Sequence, residues 1–301
     1  MKTEGSAGGG QPAAARDPAT TAETGTARAA DGTELFLRHW PAKGKPWATI
    51  LIAHGIAEHS GRYERTGRLL ADAGLDVHTF DLRGHGRSGG RRVYVNRWAE
   101  YLDDTAGRVD AVRRKGLPLV LFGHSMGALI ALDYALSGRP KPDLLVLSAP
   151  PLGAKVPAWQ RVVAPVLSRV APTLVIANPI SGSQLSRDPA VGEAYFADPL
   201  VQPRSTARLG TELFGAMAKT RAHLRDLEVP ALVIHGGDDR LVPTPVSEPL
   251  AGLPGVERRV LPGLRHETLN EPEGPQVVAE IADWLRARVR SRPTVVSGSR
   301  P

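Results

Sequence analysis

The sequence predicts an α/β fold, with a mostly parallel central sheet, helices on both faces and an inserted helical cap. Three observations lead there. Short apolar runs alternate with segments of helical periodicity along most of the chain, the rhythm of strand, crossover helix and parallel strand. One run, Leu119 to Phe122, ends at Gly123-His124-Ser125-Met126-Gly127 and passes directly into a helix-forming segment, the strand, sharp turn and helix of a nucleophile elbow. Between about residues 150 and 228 the strands give way to helical patterns and prolines, which marks an insertion.

The 301 residues suffice for one large α/β domain, or two small ones, with a sizeable core. Cysteine is absent, which excludes disulfides, thiolate metal ligands and a cysteine nucleophile and leaves the redox compartment open. No apolar run approaches the ~18 residues of a membrane span, and the N-terminus lacks the apolar stretch of a secretion signal. The expectation is a cytoplasmic protein, soluble or at most peripheral to a membrane. The net charge is +7, but most basic residues are arginines scattered among carboxylates. The densest group, Arg83, Arg87, Arg91 and Arg92, has no interleaved aromatics, so a solvated basic surface is expected and a nucleic-acid partner is not.

Residues 1–30 are rich in Ala, Gly and Thr and cannot bury enough apolar surface to offset their ordering entropy; a disordered leader is expected. The core, 31–149 and 229–290, opens with an alternating strand at Glu34 to Trp40, a Pro/Gly turn and the apolar strand Ala48 to Ala53. A helix then runs to Ala73, with Gly74 as its stop. Leu75 to Phe80 forms the next strand, with the glycine-rich loop Asp81 to Ser88 at its carboxyl end. Asn96 is placed to cap a helix ending at Gly116, with Trp98, Tyr101, Leu102, Val109 and Val112 at helical spacing. After the elbow come a helix at Met126 to Leu136 and a buried strand at Leu144 to Ser148.

In the cap, 150–228, one helical face carries Trp159, Val162, Val163, Val166, Leu167 and Val170, and no strand is expected. That face has two readings, packing over the main domain or docking on a membrane or micelle. A second helix spans Thr206 to Ala222. The sheet resumes at Ala231 to His235, followed by the turn Gly236 to Arg240 and a strand at Arg258 to Leu261. A final helix, Pro275 to Val289, turns Val277, Val278, Ile281, Trp284 and Leu285 inward. Residues 291–301 read as a flexible tail.

A serine hydroxyl is a weak nucleophile at neutral pH and needs a base and an anion to orient that base. In open parallel sheets such groups gather in loops beyond the carboxyl ends of the strands. Asp239 and His266 occupy such loops downstream of Ser125, in the chain order Ser, Asp, His. Negative charge developing on a carbonyl oxygen needs amide donors, of which Met126, directly after the serine, supplies one. His54, His59 and His85 suit loop support, and the histidines offer no convincing zinc ligand set.

From about Gly32 to Val289 the chain resembles the monoacylglycerol lipase family of α/β-hydrolases. The matching motifs stand in order: His54-Gly55 with Glu58-His59-Ser60-Gly61-Arg62-Tyr63, Gly84-His85-Gly86-Arg87-Ser88, Gly123-His124-Ser125-Met126-Gly127, Asp239-Arg240-Leu241 and the His266 loop. The resemblance implies Ser125 as nucleophile, His266 as base and Asp239, directly before Arg-Leu, as the acid in preference to Asp238. It implies the Ile56 amide as the second oxyanion donor, although Ala57 stands where the family often has glycine. Glu58 and Arg62 would lie at the polar end of the pocket, near glycerol hydroxyls, with a loop-holding ion pair as their other role. The implied activity is hydrolysis of a monoacylglycerol, a small lipid ester, to fatty acid and glycerol through an acyl-enzyme, without cofactor or metal. A broad carboxylesterase or lysophospholipase, and a non-catalytic ligand-binding protein on the same fold, remain as alternatives.

Overall fold

The computed structural model describes the backbone of residues 15–16, 22–153 and 158–291, and the side chains of 22–153 and 164–291. In chain order the strands are β1 (Ala15–Arg16), β2 (Glu23–Arg28), β3 (Glu34–Trp40), β4 (Ala48–Ala53), β5 (Leu75–Phe80), β6 (Leu119–His124), β7 (Leu144–Ser148), β8 (Val175–Ala177), β9 (Arg204–Thr206), β10 (Ala231–Gly236) and β11 (Val256–Leu261). The helices are α1 (Glu64–Asp72), α2 (Ala99–Val112), α3 (Met126–Leu136), α4 (Ala158–Val170), α5 (Gly182–Leu185), α6 (Pro189–Ala197), α7 (Ala207–Ala222) and α8 (Gly274–Arg290). A nine-stranded sheet runs in the order β1-β2-β3-β5-β4-β6-β7-β10-β11. It is antiparallel from β1 to the β3–β5 pair and parallel from β5 to β11.

The central strands read as near-continuous apolar runs because both faces are covered. Their alternation sorts them between two cores. Leu51, Leu121, Leu145, Leu147 and Val233 join the cluster with α2 and α3. Ile50, Ile52, Val120, Phe122, Val146, Leu232 and Ile234 join the one with α1 and α8, including Val277, Val278, Ile281, Trp284 and Leu285. Each such aliphatic or aromatic side chain contributes about 1.5–3 kcal/mol by leaving water. α3, packed between the sheet, α2 and α7, is apolar on all sides and buried along nearly its whole length.

Four expectations change. The stretch expected to be a disordered leader contains β2, which pairs along its length with β3; residues 1–14 and 17–21 lie outside the described residues. α2 begins at Ala99 and ends at Val112, and Asn96 does not cap it; the Trp98 amide at its start donates to Glu212 Oε2 of α7 at 2.8 Å. The segment between β7 and β10 is mainly helical but carries the antiparallel pair β8–β9. On α4, Val166 and Val170 are exposed, while the side chains of Trp159, Val162 and Val163 lie outside the described residues. Residues 292–301 of the expected tail also lie outside them.

Candidate active site

Ser125 stands between β6 and α3 with φ 52° and ψ −120°. A left-handed φ at a non-glycine residue costs about 1–3 kcal/mol and persists only where its surroundings enforce it. Here the Ser125 amide donates to the Ser148 carbonyl of β7 at 2.8 Å. A Cβ on Gly123 would overlap the Gly127 carbonyl, and one on Gly127 would overlap the Ala53 carbonyl of β4. The two glycines are therefore a steric requirement of the turn that lifts Ser125 out of the sheet.

The loops after β10 and β11 bring Asp239 and His266 together. A Cβ on Gly236 would overlap the Arg265 carbonyl, so that glycine lets the two loops touch. His266 Nδ1–H donates to Asp239 Oδ2 at 2.7 Å, leaving Nε2 as the other ring nitrogen. Asp239 Oδ1 accepts the amides of Leu241 and Val242 at 2.9 and 2.8 Å, and buried His235 lies 3.3 Å from Oδ2. Asp238 is exposed and Asp239 buried, so the fold separates the two adjacent aspartates. Burial opposes charge on Asp239, but the His266 charge and the hydrogen bonds overcome it and hold the carboxyl well below its usual range. Burial likewise pulls His266 down, yet Asp239 and the nearby Glu267 and Glu58 carboxylates raise it.

At the other side of the serine, Ile56 and Met126 line the same cavity as Ser125 and His266. The Met126 amide lies in the first turn of α3, where helix N–H groups lack an intrahelical acceptor. Ala57 takes the left-handed conformation, φ 67°, at the position expected to favour glycine. The oxyanion-side loop is braced by Glu58: its Oε1 accepts the Gly55 amide at 2.6 Å and the Tyr63 hydroxyl at 2.9 Å. Arg62 Nη1 donates to Glu58 Oε2 at 2.7 Å, and its two Nη groups fork onto Glu267 at 2.6 and 2.7 Å. Burial would raise Glu58, but Arg62 first, with His124 and His54, brings it down to about 2. Glu58 and Arg62 thus form an ion pair that also lines the cavity. Glu267 carries no motif in the sequence; its one signal is its place directly after His266.

His124, one residue before the serine, is buried, with Nδ1 3.0 Å from Ser148 Oγ and its ring centroid 4.8 Å from that of His266. Burial first, and then the neighbouring His266, lower it to about 4, so it stays neutral at physiological pH. The cavity has a volume of about 270 Å³. Its wall includes the polar Glu58, Arg62, His124 and Glu267, and the segment between β7 and β10 supplies Ile180, Leu185, Tyr195, Leu213, Phe214 and Met217 together with the polar Asn178 and Ser205. That segment is tied to the loops on both sides of the cavity: Gln202 N–H donates to the Ala57 carbonyl at 2.9 Å, Glu267 N–H to the Leu185 carbonyl at 2.8 Å, and His59 pairs with Asp198 at 2.8 Å. These short helices and loops have too little periodicity for their lining residues to be singled out from the sequence.

The chain is similar to known proteins along most of its length. Residues 44–273 match the family described as serine aminopeptidase, S33. The chain is 35% identical over 262 residues to a monoacylglycerol lipase of Mycolicibacterium smegmatis, covering 84% of this chain and 93% of that protein. It is 36% identical over 221 residues to the monoglyceride lipase of Homo sapiens, covering 70% and 72% respectively. Among solved structures, the monoacylglycerol lipase of Paleococcus ferrophilus superposes with a TM-score of 0.75 at 29% identity, covering 84% of this chain and 99% of that one.

Proposed function

The chain belongs to the monoacylglycerol lipase family of α/β-hydrolases, within the serine aminopeptidase S33 group, and we propose on that footing that it hydrolyses monoacylglycerols to fatty acid and glycerol. The observation that carries this reading is the convergence of Ser125 and His266 on one cavity whose wall combines the charged Glu58, Arg62 and Glu267 with several large apolar side chains, a lining suited to an ester with a polar head and one acyl chain. Ser125 Oγ attacks the ester carbonyl while His266 Nε2 takes its proton; Asp239 holds the ring tautomer and stabilises the imidazolium. The Ile56 and Met126 amides receive the oxyanion. His266 then gives the proton to the departing glycerol oxygen, and water, deprotonated by the same nitrogen, releases the fatty acid and regenerates Ser125. Glu58 and Arg62 are engaged with one another, so their contribution to the substrate is the polar wall they make together.

Residues 150–228 act in this reading as a cap over the acyl chain, and their outward apolar residues dock on the membrane or micelle that presents the lipid. No helix among the described residues is long and apolar enough to cross a bilayer, so the contact is peripheral in kind. The test is a panel of mono-, di- and triacylglycerols beside simple esters of graded acyl length, run with the native chain and Ser125→Ala. Preference for monoacylglycerols, lost by a factor of about 10⁴ or more in folded Ser125→Ala, is the expected result. Full activity in the variant would sink the triad, and indifference to the glycerol head would reduce the reading to a general esterase.

A further inference from the structure

A second cluster of titratable side chains lies at the opposite end of the sheet from the catalytic loops. Asp76 and His78 stand two residues apart near the start of β5 and so project from one face. His39 of β3 is in register with His78, and Glu23 of β2 with His39, which aligns Glu23, His39 and His78 in a row across antiparallel strands. The His39 and His78 rings stack in parallel, with centroids 4.2 Å apart and planes within 3°. Both aim Nε2 at one carboxylate: His39 Nε2 is 2.8 Å from Asp76 Oδ1 and His78 Nε2 is 2.9 Å from Asp76 Oδ2. The ligand atoms of these three residues all lie within 4.8 Å of one another.

His39 makes the cluster informative. Its Nε2 faces Asp76, and its Nδ1 lies 3.2 Å from Glu23 Oε2. A neutral imidazole carries one N–H, so one of these contacts would set lone pair against lone pair. A second proton on His39 relieves that clash, as does a cation at Nε2 with Nδ1–H retained by Glu23. The second arrangement is the one metal-bound histidines show, their other ring nitrogen donating to a carboxylate. A cation also serves His78 and Asp76 at once, whereas a second proton on His39 serves His39 alone, His78 already meeting Asp76 through one Nε2–H. The His39 and His78 side chains are 25% and 17% exposed above a buried Asp76, which gives an ion an entry path and room for water. The remaining charged neighbour is Arg114, from the loop after α2, whose Nη2 reaches Asp76 Oδ2 at 2.9 Å and competes for that oxygen from a half-exposed position.

We propose that His39, His78 and Asp76 bind one divalent transition-metal ion of the zinc class through two imidazole nitrogens and a carboxylate oxygen, with Glu23 orienting His39 and solvent completing the tetrahedron. This departs from the expectation that the histidines offer no zinc set, because His39 and Asp76 are 37 positions apart and only the sheet register joins them. The test is calorimetric titration of the full chain, freed of metal by a chelator, with zinc at neutral pH, and with cobalt(II) as a spectroscopic substitute. One zinc per chain and an intense tetrahedral cobalt band are expected. Glu23→Gln weakens uptake about tenfold; His39→Ala abolishes it with an unchanged far-ultraviolet circular dichroism spectrum; Arg114→Ala tightens it. Acidification releases the ion as protons compete for the imidazoles. Absence of uptake by the native chain at millimolar zinc, or equal uptake by His39→Ala, overturns the proposal and leaves a proton on His39 as the charge.

Discussion

At the scale of single residues, the chemistry depends on how charge is shared around His266. Burial works against the imidazolium, and Asp239, Glu267 and Glu58 outweigh it, so the base titrates above the ordinary histidine value. In the proposed mechanism His266 acts while neutral, so kcat/KM should rise as pH climbs through that raised value. Glu267→Gln removes one of the carboxylates that favour the imidazolium while keeping an oxygen for Arg62. The acid limb of the kcat/KM profile should move to lower pH, with the plateau retained; a move to higher pH would show that Glu267 acts on His266 through structure instead. Ser125 and His266 could be singled out as candidates from the sequence because each follows a strand in the expected chain order, whereas the preference for Asp239 over Asp238 came from the family resemblance. The Arg62–Glu267 fork was not legible, since an ion pair 205 positions apart leaves no periodicity to read.

At the scale of elements, what was legible tracks how strongly a segment's own pattern is enforced by its burial. The central strands and α3 and α8 emerged within a residue or two of their bounds, because apolar runs bounded by turns have one way to be buried. β2, with its polar sequence Glu23 to Arg28, is ordered by pairing to β3 along an edge and carries no apolar alternation, so composition pointed to disorder. β8 and β9 are three residues each, too short for any period. The same contrast governs the glycines. On the exposed face of α2, Gly107 has nothing within 4 Å of where a Cβ would sit, so it costs helix propensity without packing in return. Gly107→Ala should stabilise the protein by about 1 kcal/mol, a rise of about 2–4 °C in Tm by calorimetry. Gly127→Ala, whose Cβ would overlap backbone with nowhere to move, should yield no soluble protein or lose the elbow; a variant with native Tm and activity would show that the turn can open.

At the scale of the whole molecule, the segment between β7 and β10 does two things at once. Its inner side walls the cavity, holds the loop after β4 through Ala57 and accepts the Glu267 amide, beside His266, on the Leu185 carbonyl. Its outer side exposes Val166, Val170, Leu174, Val175 and Ile176, which run from the end of α4 into β8, while Phe214 on the adjoining α7 lines the cavity and is also exposed. Of the large apolar residues exposed among the described residues, all but Val260 belong to this segment, a concentration beyond the scattered single residues normal on a soluble surface. In the proposed function a lipid ester leaves an aggregate to enter the cavity, and a patch on the same segment as the cavity wall would bring the entrance to the lipid. Val170→Glu with Ile176→Glu places two charges where apolar side chains would enter the headgroup boundary, with no core contact removed from Val170, which is 73% exposed. Losing that burial should weaken co-sedimentation with phosphatidylcholine vesicles about tenfold or more. Hydrolysis of vesicle-borne monoacylglycerol should fall with it, while kcat/KM on a short, water-soluble ester stays at the native value. Equal loss on both substrates would mean that the patch supports the fold of the cavity wall, and unchanged vesicle binding would assign the apolar surface to another contact.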